Sequence, residues 1–115
     1  MSEQIYYFKG DKSTKEVNVP NGFTQIRADA FLRYSSLTNV TIPNTVTRIG
    51  ECAFFRCSSL ANIAIPNSVV EICLKAFYRC LSLQSITIPD SVTKIGYSAF
   101  YGCTSLSSVS LSKKY

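Results

Sequence analysis

Residues 60–83 decide the fold: Leu60-Ala-Asn-Ile63-Ala-Ile65-Pro66-Asn-Ser-Val-Val-Glu-Ile72-Cys-Leu-Lys-Ala76-Phe77-Tyr-Arg79-Cys80-Leu-Ser-Leu83. The stretch opens as Leu-x-x-Ile-x-Ile, and the alternation of its last three residues is the period of a strand buried on one face. Pro66 ends that strand, because proline has no N–H to give a ladder. Working outward, every landmark recurs at 23 residues. The four prolines, Pro20, Pro43, Pro66 and Pro89, keep the interval, as do Phe31, Phe54, Phe77 and Phe100, each preceded by alanine. Ile26, Ile49, Ile72 and Ile95 follow it, and so do Leu37, Leu60, Leu83 and Leu106. Cys57, Cys80 and Cys103 share the register, with Tyr34 in the first copy.

Each unit reads as one coil of a solenoid. After the strand and its proline, Val46–Ile49 forms a short apolar-spaced return segment, and Ala53-Phe54 with Cys57 has the spacing of one helical turn. Stacked coils set their strands side by side, about 4.8 Å apart, in a parallel sheet. The expected fold class is an α/β, β-rich repeat solenoid.

The pattern I-P-x-S-V-x-x-I-G-x-x-A-F-x-x-C-x-S-L, carried best by residues 65–83, resembles the BspA-type subfamily of leucine-rich repeats. The resemblance runs from about Val17 to Leu111 and implies a parallel sheet on a concave side with short or helical turns on a convex side. It also implies an interaction scaffold of the kind found in bacteria and parasitic protists, often on cell surfaces, where some members bind host matrix proteins. Thr45, Ser68 and Ser91 stand where the family has asparagine, and their hydroxyls are expected to bond the corner backbone. Cys73 replaces the glycine of Gly50 and Gly96.

Three segments follow: a hairpin-like cap over 1–19, four 23-residue repeats over 20–111, and a tail over 112–115. The cap is expected to pair Ile5–Phe8 with Glu16–Val19, with Phe8 on the phenylalanine register. No equivalent cap follows Leu106–Leu111, so the C-terminal strand edge is open to another copy or to further chain.

Alternation assigns the rows. Asn39 and Asn62, with Ser85 and Ser108, lie on the sheet's open face beside Thr41, Ala64 and Thr87. These residues are small and polar, without the Trp, Tyr or Arg that dominate binding hot spots. The flank at the Ala-Phe turn is better equipped: Leu32, Phe55, Tyr78 and Tyr101 form one row and Arg33, Arg56 and Arg79 the next. Such a strip grips an acidic protein segment, a carboxylated glycan or phosphates; alternatively, the arginine stems simply cover the rings. Gln25, Arg48, Glu71 and Lys94 read as exposed charge pairing between coils.

Composition sets the function class. Histidine is absent from the 115 residues, which removes Ser-His-Asp and Cys-His catalysis and His-ligated metals. Of the twelve cations behind the net charge of +5, five lie at the two ends, Lys9, Lys12, Lys15, Lys113 and Lys114, as on a soluble surface. The five cysteines form no C-x-x-C pair, and Cys57, Cys80 and Cys103 read as buried thiols packing as small hydrophobes. Asn39-Val40-Thr41 matches a glycosylation sequon but falls on the strand ladder. The expectation is a non-enzymatic protein-binding module without cofactor or metal, its partner a protein (a host or matrix protein, by the resemblance) and neither nucleic acid nor a membrane interior. A structural unit self-assembling through the C-terminal edge is the alternative. The polar start Met1-Ser2-Glu3-Gln4 is no secretory signal, so the expected location is cytoplasmic for a complete chain and cell surface or secreted for a fragment.

Overall fold

The computed structural model describes residues 4–111. The apolar periods wind the chain into a parallel β-solenoid of about five turns. Its strands are β1 (Ile5–Tyr6), β2 (Glu16–Asn18), β3 (Gln25–Ile26), β4 (Asn39–Thr41), β5 (Arg48–Ile49), β6 (Glu71–Ile72), β7 (Ser85–Ile88), β8 (Lys94–Ile95) and β9 (Ser108–Leu111).

Two sides of each coil carry ladders. The return segments build the longest sheet, β1-β3-β5-β6-β8, in which Ile26, Ile49, Ile72 and Ile95 stand side by side. The Leu-x-x-Ile-x-Ile segments pair β2 with β4 and β7 with β9, while residues 61–65 join through the bridge Asn62↔Ser85. Alternation holds even there, with Ile63 and Ile65 buried and Asn62 and Ala64 exposed.

The Ala-Phe segment differs from its expected helical turn, and no helix occurs among the described residues. An α-helix bonds each N–H four residues back within itself. Here the Cys52, Phe54 and Arg56 N–H groups donate instead to Leu74, Ala76 and Tyr78 carbonyls of the next coil, at 2.7–3.0 Å. The residues between them close tight turns in their own coil, as in Phe55 N–H to Cys52 O at 3.2 Å. This forward donation repeats from Asp29, Phe31 and Arg33 and from Lys75, Phe77 and Arg79. At the return corner the direction reverses: the Gly50, Cys73 and Gly96 N–H groups donate backward to Ile26, Ile49 and Ile72.

The core is a set of single-residue-type columns. Phe31, Phe54, Phe77 and Phe100 stack with centroid steps of 5.1, 5.2 and 5.4 Å and nearly parallel planes. Beside them, the Cys57, Cys80 and Cys103 thiols each donate to the Phe carbonyl of the preceding coil at 3.1 Å. Tyr34 heads that column, and its hydroxyl reaches Gly10 O at 3.1 Å.

The N-terminal segment does not form the expected hairpin. β1 pairs in parallel with β3 and β2 in parallel with β4, so both join the stack rather than each other. The physical reason is burial: this arrangement covers Val17 and Val19 and seats Phe8 on Phe31 at 5.6 Å. A local turn, in which Asp11 accepts from the Ser13 N–H at 2.8 Å, carries the chain between them. At the corners, Thr45 Oγ1 donates to Phe23 O at 2.7 Å as its chemistry suggests. The buried hydroxyls of Ser68 and Ser91 find no partner, so the expected corner bond forms only at the threonine.

Candidate binding surface

The turn flank is built by the backbone just described. Each coil needs two residues with left-handed φ there: Asp29, Cys52, Lys75 and Ser98 at the first position, and Arg33, Arg56, Arg79 and Gly102 at the second. Such φ values, 61°, 59° and 56° at the three arginines, cost a side-chain-bearing residue about 1–2 kcal/mol. Gly102 holds the same position with φ 75° without that cost.

The structure brings the predicted flank residues together. Phe55 stacks on Tyr78 at 4.8 Å and Tyr78 on Tyr101 at 5.2 Å. The arginines lie along these rings: Arg33 and Arg56 are 5.7 and 5.8 Å from the Phe55 centroid, and Arg79 is 5.8 and 5.9 Å from Tyr78 and Tyr101. Arg79, nearly equidistant from two stacked rings, lies beside their edges, so its stem packs along the ring column rather than over a ring face. Beyond the arginines runs a groove of about 360 Å³ lined by Arg33, Arg56 and Arg79 with Ser35, Ser58 and Leu81. Among the described residues the ion pair is Arg48–Glu71, at 3.3 Å between return strands, and the flank arginines form none. Arg79 Nε is buried and has no acceptor.

Asn39, Thr41, Asn62 and Thr87 lie elsewhere, exposed on the Leu-x-x-Ile-x-Ile face. Asn62 and Thr87 border a shallow hollow of about 320 Å³ with Ser85 and Ala64, and all four offer only short groups. The Arg48–Glu71 pair, itself partly exposed, contributes at most about 1 kcal/mol.

Row logic missed Tyr97 and Lys75. Tyr97 is 80% exposed and forms, with Lys75, Tyr78 and Tyr101, a hollow at the C-terminal end of the flank. Its equivalents are Ala28, Glu51 and Leu74, so no repeated residue type marks the position; only its distance from Tyr101 hints at it.

Burial disfavours the thiolate, the reactive form of cysteine. Burial pushes Cys57 up to about 12 and Cys73 up to about 11, and it raises Cys52, Cys80 and Cys103 as well. All five cysteines are unbridged, and the described residues hold no metal-binding cluster.

The family model of the BspA type leucine-rich repeat region matches residues 24–115, most of the chain. The chain belongs to the BspA-type leucine-rich repeat family. Solved structures of the same architecture include a leucine-rich repeat protein of T. pallidum, TpLRR, 35% identical over 82% of this chain and 44% of that one, with TM-score 0.81. The pneumococcal vaccine antigen PcpA is 27% identical over 91% of this chain and 26% of its own, with TM-score 0.85. A leucine rich cell surface protein from Faecalibacterium prausnitzii is 29% identical over 88% and 33%, with TM-score 0.76. The chain thus spans less than half the length of each of these proteins. No curated protein sequence matches it. Leucine-rich repeat proteins generally mediate protein interactions, and the family and fold are typically non-enzymatic.

Proposed function

We propose that this chain is a non-enzymatic protein-binding module that takes its partner on the turn flank. One observation carries the reading: stacked Phe55, Tyr78 and Tyr101 run beside three arginines that form no ion pair among the described residues. Aromatic residues and Arg dominate binding hot spots, and the stacked rings lose little freedom when covered. The longer relatives described as a cell surface protein and a vaccine antigen support an adhesin-type setting.

Panning a random peptide library against the folded chain is expected to return binders that Phe55→Ala/Tyr78→Ala/Tyr101→Ala weakens at least about tenfold. Replacing Asn39, Thr41, Asn62 and Thr87 with alanine should leave their affinity within about twofold. Binders sensitive only to the second set would move the partner to the strand face and refute the flank.

A second reading, self-association through the C-terminal edge, rests on a separate observation. Ile95 is 47% exposed where Ile72 is fully buried, and Val109 is 52% exposed on β9. Light scattering should then show a mass that rises with concentration and falls back on Ile95→Lys. A constant monomer mass up to high concentration rejects this reading.

A further inference from the structure

The arginine ladder has a spacing, and the spacing selects a ligand. We propose that the flank recognises an acidic amphipathic α-helix laid along the solenoid axis, with carboxylates at i, i+3 or i+4, and i+7. This proposal rests on flank binding and names the chemistry of the partner.

Three features point to an anionic occupant. Arg33, Arg56 and Arg79 come from consecutive coils, and among the described residues none has an ion-pair partner. Arg79 lines the groove, and its buried Nε is a donor with no acceptor in the protein. The arginines also occupy a position that the backbone holds at left-handed φ and that Gly102 fills in the last coil, so glycine suffices for the fold. Three guanidinium groups held against that preference and against mutual repulsion are relieved together by a row of carboxylates, each of which a guanidinium can grip in bidentate fashion.

Geometry distinguishes the backbone that bears those carboxylates. In the three coils that bear these arginines, Phe31, Phe54 and Phe77 advance by 5.1 and then 5.2 Å, so the backbone beneath the arginine row covers about 10 Å in two steps. On one face of an α-helix, positions i, i+3 or i+4, and i+7 rise by about 5 and then about 10.5 Å, which meets all three arginines. An extended peptide repeats a face every ~6.6 Å and has drifted by about 3 Å at the third arginine. A polyproline II segment repeats at about 9.3 Å, meeting Arg33 and Arg79 while skipping Arg56. Apolar residues flanking the helix's acidic stripe then fall on Phe55, Tyr78 and Tyr101, while Ser35, Ser58 and Leu81 border the other side of the groove.

The test titrates the full chain with fluorescent synthetic peptides, read by anisotropy. The first is a stapled helix with Glu at i, i+4 and i+7 beside a Leu stripe. The second is an equally helical peptide of the same composition with the Glu positions spread around the helix. The third is an extended Glu-Val alternating peptide. The first should bind at least about tenfold tighter than either other. Arg33→Glu/Arg56→Glu/Arg79→Glu should remove this preference, with an unchanged circular dichroism spectrum reporting the fold. Arg56→Lys should keep the charge yet lower the affinity of the first peptide severalfold, since a point charge cannot make the bidentate pair. Equal binding of all three peptides, or tighter binding of a single-stranded oligonucleotide of equal charge, would overturn the proposal. Library peptides that need Phe55, Tyr78 and Tyr101 but carry no such acidic pattern would also overturn it, while leaving flank binding intact.

Discussion

Phe77→Ala is expected to destabilise the folded chain by about 3–5 kcal/mol, the range for deleting a buried ring and leaving a cavity. The ring is fully buried between Phe54 at 5.2 Å and Phe100 at 5.4 Å, so truncation removes contacts on both faces. Coils of a solenoid contact only their neighbours, so a gap at Phe77 uncouples the last coil from those before it. Against a typical total of about 5–15 kcal/mol, that loss is a large share. Phe100→Ala should cost clearly less, because Phe100 has one stacking neighbour and is only half-buried. Urea unfolding followed by circular dichroism measures both. A Phe77→Ala midpoint near wild type, or equal costs at the two positions, would contradict the stacked column.

The second large effect is alkaline. Cys57 is pushed up to about 12 from an ordinary 9.0, chiefly by desolvation, and the same cause raises Cys80. Between these values the unfolded chain gives up the thiol proton and the folded chain keeps it. The folded state then binds more protons, and stability falls as pH rises; below about 9 the contribution is intact. Each such thiol sets a slope of about 1.4 kcal/mol per pH unit, so the pair approaches about 2.8. Tyr6 and Tyr34, also raised by burial, steepen the fall further up. Urea midpoints measured from neutral pH to about pH 11 should drop accordingly, and Cys57→Ala/Cys80→Ala should flatten the decline. An identical decline in that variant would show that the buried thiols do not set it.

Sequence periodicity revealed most of the fold, because a solenoid repeats its contacts at the interval of its residues. The Phe, Ile, Leu and Cys columns and the flank rows all follow from the 23-residue register. Two features escaped it for physical reasons. The Ala53-Phe54-Cys57 spacing suits a helical turn, yet every second N–H in that segment is drawn to the next coil, a competition invisible in one unit alone. The strand-like runs Ile5–Phe8 and Glu16–Val19 suggested mutual pairing, but neighbours with waiting ladders and a Phe31 ring to cover offered more burial. In the binding surface, the aromatic and arginine rows were legible as rows. The unpartnered Arg79 Nε and the exposed Tyr97 were not, since both depend on local packing rather than residue type.

The two opposed directions of hydrogen bonding give the outer face of the last described coil a written address. On the flank the chain donates forward, so the last described coil turns the N–H groups of Ser98, Phe100 and Gly102 outward, and none of them donates to a backbone carbonyl among the described residues. At the return corner it has been donating backward, so the same coil presents the carbonyls of Thr93 and Ile95. Whatever lies against that end must bring acceptors to one side and donors to the other, about one coil-width apart. A slip by one residue sets like against like and leaves those groups unsatisfied. The outer face of the last described coil is therefore a keyed template, one that admits a neighbouring coil in a single register.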